Sequence, residues 1–545
     1  MTTTPSVAPA PRAVRSRSAD VAAFAAGGLA AALGIAIGEL MAGIAAGSPS
    51  LVIAIGDFVI ANQPPGGKEI FVELFGEADK LVLNLMIVAA SVLIAGLLGV
   101  AGRRDWAVPV TGFAIAGLAG LFAAIQQPLT EPLLAVITVA VAIAIALGAL
   151  RLMLQATSPA WAPTSGAVGA HASGAAGADT SGTAGQMPDW DRRRFLQVGG
   201  GVAVGSVVLG VVGRNLLAGR PGGAAEGAAL PVTAAPGPEV PASAALHVEG
   251  ITPIVVPNEE FYRIDTALVS PRVSIDDWAL RVTGKVDREV TLTYDDLSQM
   301  PLFEQFVTIA CVSNEVGGRL VGNALWTGVD LREVLDMAGV QPDADQMVGR
   351  SVDGFTAGFP TAWAMDPERR PMIALGMNGS PLPVDHGYPA RLIIPGLYGY
   401  VSATKWLSQI ELTTWDAFDG YWIPRGWAKE APILTQSRID VPRHGTTVER
   451  GTTVAVAGVA WAPDRGVRAV EVSVDGGDWQ PAEMSVPLND ASWVQWKLAW
   501  LAGEPGPHRF TVRATDGDGV VQTDEVTRPA PDGARGHHST SITVG

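Results

Sequence analysis

The long apolar runs in residues 1–155 limit the folds open to this chain more than any other feature of its sequence. A helix needs about 20 apolar residues to cross the hydrocarbon core of a membrane, and four runs reach that length. They cover, roughly, Val21–Ala46, Leu81–Ala101, Trp106–Ile125 and Pro132–Met153. The run "LVIAIGDFVIA" is shorter and contains Asp57, so we expect it at the membrane interface or re-entering between helices. Residues 1–155 are therefore predicted to form a four-span α-helical membrane domain.

Basic residues predict how these spans are oriented. Arginines precede the first span, separate the second from the third and follow the fourth: Arg12, Arg15, Arg17, Arg103, Arg104 and Arg151. The positive-inside rule then places the N-terminus and the end of the fourth span in the cytoplasm. A Gly/Ala/Ser-rich linker over 156–190 follows, and we expect it to be flexible and cytoplasmic.

A fifth apolar run follows the linker, within "DRRRFLQVGGGVAVGSVVLGVVGRNLLAG". Arg192 and Arg193 stand just before Phe195 and Leu196, as in a twin-arginine export signal, here internal. The alternative is the basic flank of an ordinary fifth span. In both interpretations, residues 191–218 cross the membrane from the cytoplasm to the outside. The protein is thus predicted to be a multi-pass protein of the cell membrane, extracytoplasmic from a linker at 219–245 onward.

Two polar residues lie inside the predicted spans, Glu39 in the first and Asn84 in the second. An ionisable side chain at that depth is costly and marks a candidate site, here for protons or a quinone. The alternative is a protonated Glu39 that is hydrogen-bonded to a neighbouring helix or lies close to the outer interface.

Cysteine and histidine usage excludes several redox centres. The chain has one cysteine, Cys311, whereas an internal disulfide, a CxxCH haem attachment or a cysteine-ligated iron–sulfur cluster needs two or more. None of the seven histidines lies in a span, which excludes a bis-histidine haem in the membrane domain. The net charge of −16 argues against nucleic acid as a partner, because phosphate binding depends on basic surface.

After residue 245 the composition becomes that of a soluble protein. Short β-type runs mix with helical ones such as "DLREVLDMAGV", which predicts an α+β domain over 246–430. Strands separated by Gly/Asp turns follow, as in "TTVAVAGVAW" and "HRFTVRATDGDG". They predict a β-sandwich over 431–545.

Cys311 lies in "FVTIACVSNEVGG", between a β-branched run and a glycine-rich turn. The residues alone leave three roles open for it: a small buried hydrophobe, a nucleophile activated by a base such as His386, or a soft metal ligand. Downstream, "NGSPLPVDHGYPARLIIPGLYGYVSATKWLSQIEL" combines His386, Arg391 and Lys405 with a glycine-containing loop. That combination suits an anionic, phosphate-bearing ligand, and the alternative is a proline-rich connection with surface charges.

Together, "TIACVSN", "ALWTGVDLREVL", "NGSPLPVDHGYPARLIIPGLYG" and "TKWLSQIEL" resemble the sulfite oxidase family of molybdopterin enzymes, from about Ile251 to the C-terminus. The resemblance implies an α+β molybdopterin-binding domain followed by an immunoglobulin-like dimerisation domain, and hence a homodimer. Molybdenum–molybdopterin is the implied cofactor, and no haem or iron–sulfur cluster is expected. Cys311 matches the cysteine whose thiolate binds molybdenum. The other matched positions contact the pterin, its phosphate or the surroundings of the metal: Tyr262, Arg263, Asp353, His386, Arg391, Ser402, Thr404 and Lys405.

Two departures from the family's pattern bear on the substrate. Sulfite-oxidising members follow the cysteine with "AGNRR", whose arginines help to bind an anion, whereas here Glu315 and Val316 follow Asn314. Ile264 and Asp265 follow Arg263, where sulfite-oxidising members have an Asn-His pair. The missing arginines favour, by a small margin, an S-oxide or N-oxide over a small oxyanion such as sulfite.

The sequence thus predicts a membrane-anchored, extracytoplasmic molybdopterin oxidoreductase that transfers an oxygen atom at molybdenum. Its electrons would be exchanged with a separate carrier, a cytochrome or a quinone. The alternatives are sulfite oxidation proper, a non-catalytic membrane scaffold that kept the fold, and a cysteine hydrolase that uses Cys311 and His386. The scaffold has no need of the thiol, which argues against it.

Overall fold

The computed structural model describes residues 17–63, 74–75, 78–156, 189–219, 230, 233–234, 237 and 239–545. Arg12, Arg15 and nearly all of the predicted linker over 156–190 lie outside the described residues, as does most of the linker over 219–245. The chain divides into two compact units, Met1–Arg220 and Pro221–Gly545.

The N-terminal unit is helical. Its main helices are α1 (Arg17–Ile44), α2 (Leu51–Ala61), α3 (Asp79–Gly102), α4 (Ala107–Ile125), α5 (Pro132–Ala156) and α6 (Asp189–Ala218). Among the described residues, five helices are long and apolar enough to cross a membrane. Helix α2, with 11 residues, is too short to do so, and the hydroxyl of Ser50 accepts a hydrogen bond from the Ile53 amide at its N-terminus.

Small residues let the other helices approach α1 closely. A Cβ added to Gly99 of α3 would lie 2.2 Å from the carbonyl oxygen of Ala23, and one added to Gly213 of α6 would lie 2.6 Å from that of Glu39. Van der Waals packing of backbone against backbone is a main source of helix association in membranes. The glycines in these apolar runs therefore set the spacing of α1, α3 and α6.

Glu39 is buried in α1 and links it to two other elements. Its carboxylate accepts a hydrogen bond from the hydroxyl of Ser50 at 2.5 Å and lies 3.0 Å from Nε of Arg214 in α6. The residue thus takes part in helix packing, and a role in proton or quinone chemistry stays a prediction.

The C-terminal unit begins with two five-stranded sheets. The first has the order β2-β1-β10-β5-β6, and the second has the order β3-β4-β7-β8, with β9 pairing with β7. Their strands are β1 (Ala279–Gly284), β2 (Val290–Thr293), β3 (Leu302–Ala310), β4 (Val321–Asp330), β5 (Gln346–Ser351), β6 (Thr356–Pro360), β7 (Met372–Met377), β8 (Ser380–Pro381), β9 (Arg391–Ile393) and β10 (Leu407–Thr413). Short helices connect them: α7 (Tyr294–Gln299), α8 (Leu331–Ala338), α9 (Thr361–Ala364) and α10 (Gly399–Ser402).

Two further sheets follow and share a core of their own, which includes Val456, Val470, Trp496 and Phe510. They have the orders β11-β13-β17-β16 and β12-β19-β18-β14-β15. Their strands are β11 (Gln436–Val441), β12 (Thr447–Val448), β13 (Thr453–Trp461), β14 (Val467–Val474), β15 (Trp479–Pro481), β16 (Glu483–Met484), β17 (Val494–Leu501), β18 (Gly506–Asp516) and β19 (His538–Val544).

Strand β3 is fixed by both parts of this unit. The amide of Thr308 donates to the carbonyl of Ala491, and the Thr308 hydroxyl accepts from the amide of Trp493. Trp493 is fully buried in the core of the first two sheets, together with Trp461. The residues beyond 431 therefore help to position the strand that ends beside Cys311.

Candidate functional site

Cys311 directly follows β3 and opens a closed turn. Its amide donates to the carbonyl of Leu320 at 2.9 Å, and the amide of Leu320 donates to the side-chain oxygen of Asn314 at 2.8 Å. The Cys311 sulfur lies 2.9 Å from the hydroxyl oxygen of Ser313, and the side chain is 8% exposed. The turn "CVSNEVGGRL" thus holds the thiol at a fixed strand end, buried but at the edge of a pocket.

The segment with His386 and Arg391 packs directly against Lys405. Gly387, between them, has a φ of +112°, and a Cβ there would lie 3.0 Å from Cβ of Lys405 and 3.2 Å from Cβ of Arg391. Only glycine adopts this conformation without strain and also leaves room for these neighbours. The glycine of "HGYPAR" therefore brings one imidazole and two cationic side chains together.

One pocket collects most of the site residues expected from the sequence. Its wall includes Cys311, Tyr262, Asp353, His386, Arg391 and Lys405. Asp353 follows β5, and its carboxylate accepts the amide of Phe355 at 3.0 Å, while burial raises the pKa of that carboxyl. Residues up to about 140 positions apart in sequence thus meet at one cavity.

The other three expected residues do not line this pocket in the structure. Arg263 is half exposed, with Nε 3.2 Å from a carboxylate oxygen of Asp265. The hydroxyl of Ser402 donates to the carbonyls of Leu397 and Tyr398. Thr404 is buried against β5, where a Cβ on Gly349 would lie 2.5 Å from its hydroxyl oxygen. Of the three expected residues in this loop, Ser402, Thr404 and Lys405, Lys405 lines the described pocket wall.

Arg391 is a buried cation with a donor left over. Burial lowers the pKa of its guanidinium to about 10. Nη1 donates to the carbonyl of His386 at 3.0 Å, and Cζ lies 4.9 Å from the centre of the Trp326 ring. Within the described residues, the buried Nε has no hydrogen-bond partner. A buried N–H of this kind is unfavourable unless a ligand accepts from it.

Lys405 and His386 complete the polar end of the pocket. Burial lowers the pKa of Lys405 to about 8, although Asp265, 2.8 Å from Nζ, favours the charged form. Burial also lowers the pKa of His386 to about 4, so its ring is neutral at physiological pH. His386 Nε2 lies 2.8 Å from the carbonyl oxygen of Asn258, which can only accept, so Nε2 carries the ring proton.

Comparison with known proteins identifies the part of the chain that forms most of this pocket. Residues 267–422 match the family described as an oxidoreductase molybdopterin binding domain. The mitochondrial sulfite oxidase of Mus musculus is 32% identical over 343 residues, 54% of this chain and 60% of that protein. Residues 267–422 therefore form a molybdopterin-binding oxidoreductase domain, and the chain is similar to sulfite oxidases.

Other relatives extend the comparison. The mitochondrial sulfite oxidase of Homo sapiens is 31% identical over 290 residues, covering 45% of this chain and 52% of that protein. NADH nitrate reductase 1 of Oryza sativa subsp. japonica is 28% identical over 305 residues, covering 46% of this chain and 32% of that protein. The chain thus spans between 52% and 60% of the length of these two sulfite oxidases. The sulfane dehydrogenase SoxCD from Paracoccus pantotrophus has 22% identity over 55% of this chain and 85% of its own, with a TM-score of 0.45.

The pocket residues of this domain fit molybdopterin. Arg391 has a buried N–H without a partner, and Lys405 adds an ammonium group, so both suit the phosphate of the pterin. Cys311 offers one thiol, a soft donor suited to a metal, in the same cavity. The cationic donors therefore suit the phosphate of such a cofactor, and the thiol suits its metal.

Several wall residues were not anticipated from the sequence. Asp265 was noted as a departure from the family's pattern, but not as the ion-pair partner of Lys405. Phe355, Tyr400 and Trp422 also line the pocket. The aromatic density of "FDGYWIPRGW" is the available signal for Trp422, and nothing local in the sequence shows that this segment returns to Cys311.

Proposed function

We propose that this chain is a membrane-anchored molybdopterin oxidoreductase that transfers an oxygen atom at molybdenum and exchanges electrons with a separate carrier. The observation that supports it most is the meeting of Cys311 with Arg391 and Lys405 in one pocket of a sulfite oxidase-family domain. A cytochrome or a quinone is the proposed carrier, because a single cysteine is too few to ligate an iron–sulfur cluster that could relay the electrons.

Different residues of the chain bind different parts of the cofactor. When bound, the cofactor supplies the two-electron redox chemistry and the transferable oxygen. Arg391 and Lys405 hold its phosphate, and the Cys311 thiolate is the protein's ligand to the metal. Tyr262 stays protonated, because burial raises its pKa, so its hydroxyl can donate a hydrogen bond in the pocket. The burial of these groups keeps bulk water out of the site.

The membrane and the C-terminal region are part of the same proposal. The five long apolar helices support a cell-membrane anchor, and the arginine distribution supports an extracytoplasmic catalytic domain. We interpret the two sheets after residue 436 as the family's immunoglobulin-like dimerisation domain, which would make the protein a homodimer.

Metal and pterin analysis tests the function directly. Full-length protein purified from cells that make molybdopterin should contain about one molybdenum and one pterin per chain, because one Cys311 ligates one metal. Inductively coupled plasma mass spectrometry and fluorescence of the oxidised pterin measure the two contents. Protein from cells unable to make molybdopterin is the control. Molybdenum far below stoichiometry, with no released pterin, would contradict the proposal.

The route across the membrane is tested at the two arginines that open α6. Replacing Arg192 and Arg193 by Lys keeps the charge but removes the twin-arginine pair, so the C-terminal unit should stay in the cytoplasm. Protease added to spheroplasts should then leave this unit intact, whereas it should digest the wild-type unit. The matched control changes Arg103 and Arg104 to Lys in another basic segment and should not alter the digestion. Unchanged digestion of the first variant would show that α6 is an ordinary span.

A further inference from the structure

The positive charge of the pocket around Cys311 is carried by side chains that already have hydrogen-bond or ion-pair partners. Among the wall residues that the structure describes, Arg391 and Lys405 are the only arginine and lysine. Lys405 is paired with Asp265, and Arg391 donates to the carbonyl of His386. The cofactor phosphate would take up their remaining donors. A substrate that reaches Cys311 therefore meets no cation in the described wall that is available to it.

A buried carboxyl in the same wall makes the pocket unfavourable for an anion. Asp353 lines the pocket, as does Asp265, whose charge is balanced by Lys405. Burial raises the pKa of Asp353, and the nearby Asp265 adds to this effect, so the surroundings already disfavour one more negative charge. A small oxyanion would experience the same desolvation and the same repulsion.

Aromatic side chains supply much of the remaining wall, and several of them pack against one another. Phe355, Tyr400 and Trp422 line the pocket. Trp427 braces two of them, with its ring centre 6.5 Å from that of Trp422 and 6.0 Å from that of Tyr400. The hydroxyl of Tyr400 donates to the carbonyl of Ala428, so Tyr400 presents its ring, and not its hydroxyl, to a substrate in the pocket. Such a surface favours flat apolar groups.

We propose that this pocket takes uncharged S-oxides or N-oxides with an apolar substituent in preference to small oxyanions such as sulfite. This inference rests on the oxygen-atom transfer proposed above and names its substrate class. In the reaction the S–O or N–O bond breaks, and the oxygen takes up two protons from solvent and two electrons from the separate carrier. Water and the sulfide or amine are the products. Trp422 and Phe355 contact the organic substituent.

The test compares a neutral aryl sulfoxide with sulfite on the full-length, molybdenum-loaded protein in detergent. Methyl phenyl sulfoxide is assayed with reduced methyl viologen as electron donor, and sulfite with ferricyanide as acceptor. We expect kcat/KM for the sulfoxide to exceed that for sulfite by about 100-fold. A second measurement does not depend on turnover: the sulfoxide should quench tryptophan fluorescence saturably, and sulfite should not.

Two variants of one residue make the test specific to the pocket wall. Trp422→Ala should lower kcat/KM for the sulfoxide about tenfold, mainly through KM, and Trp422→Arg should shift the preference towards sulfite. Trp415→Ala, which removes a tryptophan from outside the described wall, is the matched control and should change neither value.

The outcomes separate the substrate class from the reaction itself. A wild-type preference for sulfite, in turnover and in binding, would overturn the substrate class and leave oxygen-atom transfer standing. If the loaded protein converts neither compound, oxygen-atom transfer is wrong, and the fluorescence titration alone decides the ligand class. Saturable quenching by the sulfoxide would then support the uncharged ligand, and its absence would refute it.

Discussion

Replacing Cys311 by Ser should lower oxygen-atom transfer by about 1,000-fold or more while the pterin stays bound. The change replaces one sulfur atom by oxygen, at a strand end that is held by main-chain hydrogen bonds to Leu320 and Asn314. A serine hydroxyl is much less acidic than a thiol and is a harder donor, so it should not reproduce the metal bond that the thiolate makes. Steady-state turnover, with pterin content measured on the same preparation, gives both values.

A structural measurement distinguishes loss of a ligand from general damage to the site. X-ray absorption at the molybdenum edge should show one sulfur neighbour fewer in Cys311→Ser than in wild type. Ser492→Ala removes a buried hydroxyl that donates to the main chain of Trp493, away from the described pocket wall, and should keep the wild-type sulfur neighbours. Wild-type turnover by Cys311→Ser would show that the thiol is not the protein's ligand.

The sequence was informative wherever the determinant is local. The apolar runs predict helices because run length and composition are properties of consecutive residues, and α1, α3, α4 and α5 begin and end within a few residues of them. The same holds for "HGYPAR", where the positive φ of Gly387 and the positions of His386 and Arg391 follow from one short segment. Such features are determined within a few residues of the chain.

Contacts between distant segments could not be predicted in this way. Asp265 pairs with Lys405 across 140 positions, and no local pattern records which carboxylate will meet a given ammonium group. Similarly, Trp493 reaches the carbonyl of Ile254 with its indole N–H, across 239 positions, and joins the core of the first two sheets. Hydrophobic packing therefore continues across the boundary that the sequence predicts at residue 431.

Replacing Arg391 by Met should change cofactor retention and apoprotein stability in opposite directions. The guanidinium is buried, its pKa is lowered by burial, and its Nε has no partner among the described residues. Burial disfavours this charge, so an apolar side chain of similar size should leave the apoprotein more stable, even though the hydrogen bond to the carbonyl of His386 is lost. The same change removes a charged partner of the phosphate, so cofactor retention should fall by about 30-fold or more, equivalent to roughly 2 kcal/mol.

These opposite signs are what distinguish a binding residue from a structural one. Denaturant unfolding of the apoprotein measures the first effect, and pterin retained after gel filtration measures the second. Arg370→Met is the matched control, because Arg370 also stacks on an aromatic ring, that of Phe303, but is exposed, and it should leave both quantities near wild type. If Arg391→Met destabilises the apoprotein by more than it weakens cofactor retention, the guanidinium is chiefly structural. A more stable apoprotein that has lost its pterin would instead show that the fold maintains an unfavourable buried charge for the sake of the phosphate.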